Sequence, residues 1–399
     1  MCPTVVRFEA NWVMPSSAAP NPTVGLARLD GVDVLRALAI FFVLMNHVNM
    51  RLLIAEVPYT NGLPDRLVSS LVWNGQPGVQ IFFAVSGFLI TSMTLRRWGS
   101  LSGVSLRGFY LMRFARIAPL LVVLLAVLSI LHFLRLQDFI VTSKTGGLGR
   151  ALLAALTFHV NVLEARRGYL PGSWDILWSL SVEEMFYLCF PVMALLFGRG
   201  KLFVTILFGF VLLGPYARAV LAHGNEIWKE YSYLGGMDAI ALGCLTALVV
   251  SRVRFSRLML WAVWSLGTAL LIFVLCFPIG AESLGLARYG LDMSILAIGT
   301  CMVIATVAQT KWRGPRGLSP LLNLGRRSYE IYLTHMFVVF AAFHLFVLAG
   351  KPMRGVTPLF IGVVLMAALR GEAVARFFSE PMNRLLRERW GRSTRASGQ

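Results

Sequence analysis

The chain has 399 residues, of which 57% are hydrophobic and 14% charged, with a mean hydropathy of +0.70 and a formal net charge of +18. That composition excludes an ordinary soluble domain and fits a polytopic membrane protein. The basic excess does not point to nucleic acid either, because Lys and Arg fall in short clusters between apolar runs and form no continuous stripe.

From the N-terminus, residues 1–27 carry four prolines and mostly small or polar side chains, with no basic start, apolar core and small-residue cleavage site. A flexible tail is expected there, with no removable signal peptide. The first apolar run, Val34 to Val48 and beyond, contains Arg36 and His47. A cation and an imidazole inside a membrane span are costly and mark a functional site by default. Eleven residues at about 100° each leave the two side chains about 20° apart and about 16 Å apart along one helix face. The plainer alternative is an Arg snorkelling to the interface and a His satisfied by a neighbouring helix.

Runs long enough to span occur at roughly 34–53, 78–95, 115–134, 178–198, 201–221, 234–251, 257–278, 289–308, 329–349 and 356–377, and a run at roughly 151–163 is too short. The charges settle its placement. Arg96 to Arg116, Arg199 with Lys201, Arg252 to Arg257 and Lys311 to Arg327 all fall on one side only if 151–163 does not cross. The fold class is therefore all-α, a polytopic bundle of about ten transmembrane helices with both termini cytoplasmic. The expected division is a tail at 1–27, one membrane domain at 28–383 and a basic cytoplasmic tail at 384–399. No connection is long enough for a soluble domain, and no internal repeat is visible.

Within the second run, Ser86-Gly87 suits either a close helix contact or an approach to a ligand. Arg113 and Arg116, three residues apart at the mouth of the third run, can grip one phosphorylated group together, although ordinary positive-inside charge is the simpler reading of either one. The fourth run opens Trp174-Asp-Ile-Leu-Trp-Ser-Leu-Ser-Val-Glu-Glu, placing Trp178 beside two carboxylates, Glu183 and Glu184, in an apolar helix. A buried carboxylate must be paired or protonated, and a histidine is a natural partner. Asp238 begins the sixth run, and Tyr329, Glu330, Tyr332 and Thr334 surround His335 in the ninth. His132, His159, His223 and His344 lack such company and read as structural or interfacial. Four of the five cysteines lie inside apolar runs and read as packing residues, with no metal site.

These residues resemble the integral-membrane acyltransferase family 3, which includes bacterial O-acetyltransferases of polysaccharides and acyltransferases of antibiotic sugars. The resemblance covers about Asp30 to Pro381. It is carried by Arg36-x10-His47, the Phe-Phe-x-x-Ser-Gly-Phe segment at 82–88, Arg113-x-x-Arg116, Trp-Ser-Leu-Ser-Val-Glu at 178–183 and Ser-Tyr-x-Ile-Tyr-Leu-x-His at 328–335. Three positions depart from the family pattern: Val34 follows Asp33 where Gly is usual, Gly236 stands where an Arg precedes Asp238 by two, and the Glu-x-Pro near the end reads Ser379-Glu380-Pro381.

The resemblance implies a ten-span bundle in the bacterial cytoplasmic membrane that takes an acyl group from a cytoplasmic acyl-CoA, acetyl-CoA or a short-chain relative, and delivers it to a hydroxyl of a carbohydrate or glycosylated acceptor. No permanently bound cofactor is expected. The membrane domain itself or a partner handles the acceptor. On this reading His47 is the general base with Glu183 orienting it, and an acyl-His47 intermediate stays open as an alternative. Arg36 steadies the thioester arm or its carbonyl oxygen. Arg113 and Arg116 hold the coenzyme A phosphates beside Ser86, while Asp238, Trp178, Tyr332 and His335 serve the acceptor. A transporter or flippase of a lipid-linked saccharide could use the same buried polar groups, and so could a structural or sensory membrane protein without the Arg-x10-His geometry.

Overall fold

The computed structural model describes residues 29–396, and the tail expected at 1–27 lies outside them. The chain runs α1 (Asp30–Ile54), α2 (Asp65–Val72), α3 (Gly75–Trp98), α4 (Leu106–Phe133), α5 (Gly147–Leu156), α6 (Val160–Arg167), α7 (Gly172–Asp175), α8 (Leu177–Phe197) and α9 (Lys201–Tyr216). It continues through α10 (Glu226–Tyr231), α11 (Tyr233–Arg252), α12 (Arg257–Cys276), α13 (Pro278–Ser283), α14 (Leu291–Thr310), α15 (Ser319–Arg326), α16 (Ser328–Leu348), α17 (Val356–Val374) and α18 (Glu380–Ala396). No strand occurs among the described residues. Ten helices, carried by α1, α3, α4, α8, α9, α11, α12, α14, α16 and α17, are long and apolar enough to cross a membrane. The protein is an integral membrane helix bundle.

Hydrogen bonds between connections divide them into two faces. On the basic face, Arg199 reaches Ser102 (3.4 Å), Gln309 bonds both Phe255 and Val253 (2.9 Å each), and Arg326 pairs with Asp33 (3.1 Å) in the first turn of α1. On the opposite face, Arg51 pairs with Asp138 (2.9 Å), Asn74 donates to the Leu275 carbonyl (3.0 Å), Gln76 to Glu230 (3.0 Å) and Lys351 to Ala55 (3.1 Å). The short run at 151–163 becomes α5 and α6, tied to this second face by Asn161 bonding the Tyr231 carbonyl (3.0 Å) and Asn225 bonding Ala165 (2.8 Å). It does not cross, as the charge pattern requires.

Helices α3 and α11 form the buried centre, while α9 and α12 lie at the periphery with exposed apolar side chains such as Leu212 and Leu258. In lipid that outward apolar surface carries no penalty, so packing is set by close approach. A Cβ at Gly87 would sit 1.9 Å from the Ile240 carbonyl oxygen, and one at Gly243 would sit 2.1 Å from that of Ala84. The two backbones therefore touch at glycine on both sides. The segment expected as a free basic tail is helical as far as Ala396. A π-helical turn at Ala375–Ser379 redirects α17 into α18, and Arg327 clips the bend by bonding Glu372 (2.7 Å) and Glu380 (2.5 Å), which together hold its guanidinium above the usual range.

Candidate functional site

A cavity of about 560 Å³ opens on the basic face and runs inward between α1, α3, α4, α8 and α16. Along α3 its lining extends from Trp98 to Val79, about 28 Å of helix, close to the thickness of a bilayer core. Its walls are mostly apolar, with polar groups in two tiers. At the rim stand Arg96, Arg97, Arg116 and Arg387, with Arg36 further in. None of these five forms an ion pair with a carboxylate among the described residues; Arg36 donates to Ser328 (3.1 Å) and Arg116 lies over the Tyr329 ring. Five guanidinium groups converging with no carboxylate in ion-pair contact form a ready anion site. Arg387 reaches it because the π-turn lays α18 across the mouth.

The second tier is built on α3, α4 and α8. Ser86 donates to the Glu183 carboxylate, which also accepts from Tyr187, one turn further along α8. The Arg113 guanidinium lies 3.5 Å from the centre of the Tyr187 ring and 3.9 Å from Glu183. Two buried polar atoms here have no protein partner, Arg113 Nε and Glu184 Oε1. Buried polar groups are normally satisfied, so an unpaired donor and acceptor on one cavity wall suit a ligand with hydrogen-bonding groups of its own. Ser86-Gly87 thus splits its two readings: Gly87 serves the α11 contact and Ser86 faces the cavity.

The inner end is closed by Tyr332, whose hydroxyl bonds Ser179 Oγ (2.6 Å) and the Ile176 carbonyl (3.0 Å). Behind it the Tyr332 ring meets His335, and His335 meets His47, with ring centroids 5.8 and 4.8 Å apart. Neither histidine lines the cavity. The pairing of Glu183 with His47 expected from sequence is not made. Glu183 is committed to Ser86 and Tyr187, while His47 faces the Val43 carbonyl (2.8 Å) and His335 (3.4 Å). The rotation of α8 about its axis turns both Glu183 and Glu184 to the cavity, and sequence spacing does not fix that rotation.

Asp238 and Trp178 also lie off the cavity. Asp238 is fully buried and accepts from Arg218 (2.7 Å), Gln80 (2.9 Å) and Ser294 (2.5 Å). Arg218 further bonds the Gly290 carbonyl (2.7 Å), so one network ties together four spans. The guanidinium that the resemblance places at 236 comes instead from 218, on the π-helical turn Ala217–Leu221. A Cβ at Gly236 would itself meet Phe83 at 2.6 Å. Trp178 is stacked on Tyr231 at 4.0 Å and buried, with Tyr231 donating to Asp175 (3.2 Å). On the same face Glu164 accepts from the Leu170 amide (3.0 Å), and burial beside Asp175 pushes its carboxyl well up. His132 accepts from the Val141 amide (3.1 Å), a structural role. Sequence reasoning missed Arg218 and Arg387. The first carried a signal, an Arg inside an apolar run; the second stood in a segment read as tail.

The family model described as "Acyltransferase domain" matches residues 29–369. The chain is 29% identical over 327 residues to the peptidoglycan O-acetyltransferase OatA of Listeria monocytogenes, covering 77% of this chain and 49% of that protein. It is 23% identical over 375 residues to the O-acetyltransferase OatA of Staphylococcus aureus, covering 89% of this chain and 57% of that protein. The chain thus spans about half the length of the curated relatives it matches. No solved structure matches.

Proposed function

Since the chain belongs to the acyltransferase family, we propose that it transfers an acyl group, in the first instance acetyl, from acyl-CoA to a hydroxyl of a saccharide or glycosylated acceptor. The observation that carries this reading is the arginine-rimmed cavity, which runs deep from the basic face and ends at Tyr332, whose ring meets His335 and, through it, His47. A narrow shaft with a cationic mouth suits a donor whose phosphates are at one end and whose reactive thioester is at the other. By the positive-inside rule the basic face is cytoplasmic, where acyl-CoA is found. The relatives named as O-acetyltransferases support acetyl transfer to oxygen and, in one case, a peptidoglycan acceptor.

In this scheme Arg96, Arg97, Arg116 and Arg387 hold the phosphates, and Arg113 and Glu184 hydrogen-bond the amide-bearing arm. The thioester lies near Tyr332. An alcohol has a pKa far above 7, so attack needs a base, and neutral imidazole serves well. The acceptor proton passes to His47 as the acceptor oxygen bonds to the acyl carbon. The C–S bond breaks, and the coenzyme A thiolate leaves and takes up that proton. Asp238 and Trp178 serve this site only through the helices they hold.

The test is purified protein in vesicles supplied with acetyl-CoA and a saccharide acceptor. Free thiol should appear in step with acetylated acceptor, and His47→Ala should lower the rate by about 10²–10⁴-fold, the range for a general base. Saccharide crossing the bilayer with no thiol released would overturn the reading in favour of a flippase.

A further inference from the structure

The two histidines behind Tyr332 form one hydrogen-bonded unit whose proton positions follow from geometry. His335 is fully buried, and its Nδ1 lies 2.7 Å from the backbone carbonyl of Tyr332, three residues earlier on α16. A carbonyl oxygen only accepts, so Nδ1 of His335 carries a proton. His47 repeats the pattern on α1, with its Nδ1 2.8 Å from the Val43 carbonyl, so that nitrogen carries a proton as well. The same Nδ1 of His47 lies 3.4 Å from Nε2 of His335. A proton on Nε2 of His335 would point at the Nδ1–H of His47. Nε2 of His335 is therefore the bare acceptor of a shared hydrogen bond. One nitrogen of the pair is then left to gain a proton, Nε2 of His47, which has no hydrogen-bond partner among the described residues.

We infer that His335 is a positioning residue that, as a second acceptor beside the Val43 carbonyl, holds His47 in its Nδ1-protonated tautomer and so presents the bare Nε2 as the base. Catalytic histidines are commonly oriented by a carboxylate on the second ring nitrogen. Here no carboxylate is hydrogen-bonded to His47 among the described residues, and a backbone carbonyl and a neutral imidazole share that place. The neighbouring cation, Arg51, one turn further along α1, is paired with Asp138 and stacked on Phe340, so it does not compete for the ring. A neutral partner adds no buried charge to the span, whereas a carboxylate would require one. The tautomer assignment stands on geometry alone; the catalytic consequence rests on the acyl transfer proposed above.

Two variants separate positioning from packing. In His335→Gln the side-chain oxygen reaches the place of Nε2 and can still accept from His47. In His335→Asn the amide nitrogen reaches the place of Nδ1, keeps the bond to the Tyr332 carbonyl, and leaves His47 Nδ1 with the Val43 carbonyl as its one remaining acceptor. With 15N-histidine labelling of the full-length protein, and with His47→Gln used to assign the signal, the wild type should show a protonated Nδ1 and a bare Nε2 on His47. His335→Gln should keep that pattern, and His335→Asn, with only the Val43 carbonyl left to hold Nδ1–H, should show a measurable share of the Nε2-protonated tautomer. For acyl transfer, His335→Asn should lower kcat by about tenfold or more, within the 10²–10⁴-fold that a general base supplies, with the KM for acetyl-CoA unchanged. A bare Nδ1 on His47 in the wild type overturns the inference whatever the activity. Wild-type kcat and tautomer in His335→Asn would overturn it too, reducing His335 to packing. A wild type that transfers no acyl group but shows the expected tautomer would sink the proposed function and leave the lock standing.

Discussion

Replacing Arg218 by Met tests whether the Asp238 network is a clamp or a binding site. Both residues are buried, at 6% and 0% exposure, and the guanidinium serves both Asp238 oxygens (2.7 and 3.2 Å), Ser294 (2.7 Å) and the Gly290 carbonyl. Removing it leaves a carboxylate with only Gln80, Ser294 and its neighbouring amide as donors, deep in the bundle. Breaking a buried ion pair from one side costs about 3–5 kcal/mol, because the surviving charge stays unpaired. Removing both charges costs far less, so Arg218→Met combined with Asp238→Asn should recover most of that loss. The assay is reversible denaturation by SDS titration in mixed micelles, with acceptor KM measured on the protein that remains folded. A single-variant loss below about 1 kcal/mol would refute the clamp. A stable protein with a raised acceptor KM would return Asp238 to the acceptor site expected from sequence.

Arg113→Ala should weaken acetyl-CoA binding by about 1.5–3 kcal/mol, the scale for hydrogen bonds to charged groups, with Lys only a partial rescue because it lacks the planar fork. Arg116, exposed at the rim, should matter less and its effect should fade with added salt, which a titration of Kd against ionic strength would show. Glu164, with its carboxyl raised by burial above the ordinary 4.5, favours the folded state when protonated, so that stability is full below 4.5 and is lost as pH rises through the higher folded value. Glu164→Gln should flatten the thermal-stability profile across that window; a profile identical to wild type would show that Glu164 is not the group responsible. Single cysteines at positions 172 and 316 should label from outside the cell and only after permeabilisation, respectively; the reverse would invert the cytoplasmic assignment of the basic face.

The spans were legible because hydrocarbon thickness fixes a minimum apolar length, and ten runs met it. The placement of 151–163 was legible from its short length together with the charge of the connections, since α5 is apolar but only ten residues long and α6 carries Glu164, Arg166 and Arg167. What sequence did not resolve is rotation. Arg36 and His47 share a face of α1 by simple periodicity, yet the cavity takes Arg36 and stops short of His47. Glu183 is one helical step from Glu184, and nothing in the local pattern says which neighbour either will meet. Arg218 went unread because one cation among many apolar residues does not name its partner, and Asp238 lies twenty residues away across a turn.

The contact of α3 with α11 also limits how the molecule can move. With Gly87 against Ile240 and Gly243 against Ala84, the two main chains interlock through notches no wider than a hydrogen atom, so sliding or rolling one past the other would drive carbonyls into α-carbons. The pair therefore behaves as a single stiff plank through the centre of the bundle. A carrier that exposes its cargo alternately to each side by rocking two half-bundles would need its dividing plane to run elsewhere. Stiffness of this kind suits a fixed shaft through which only a small group travels.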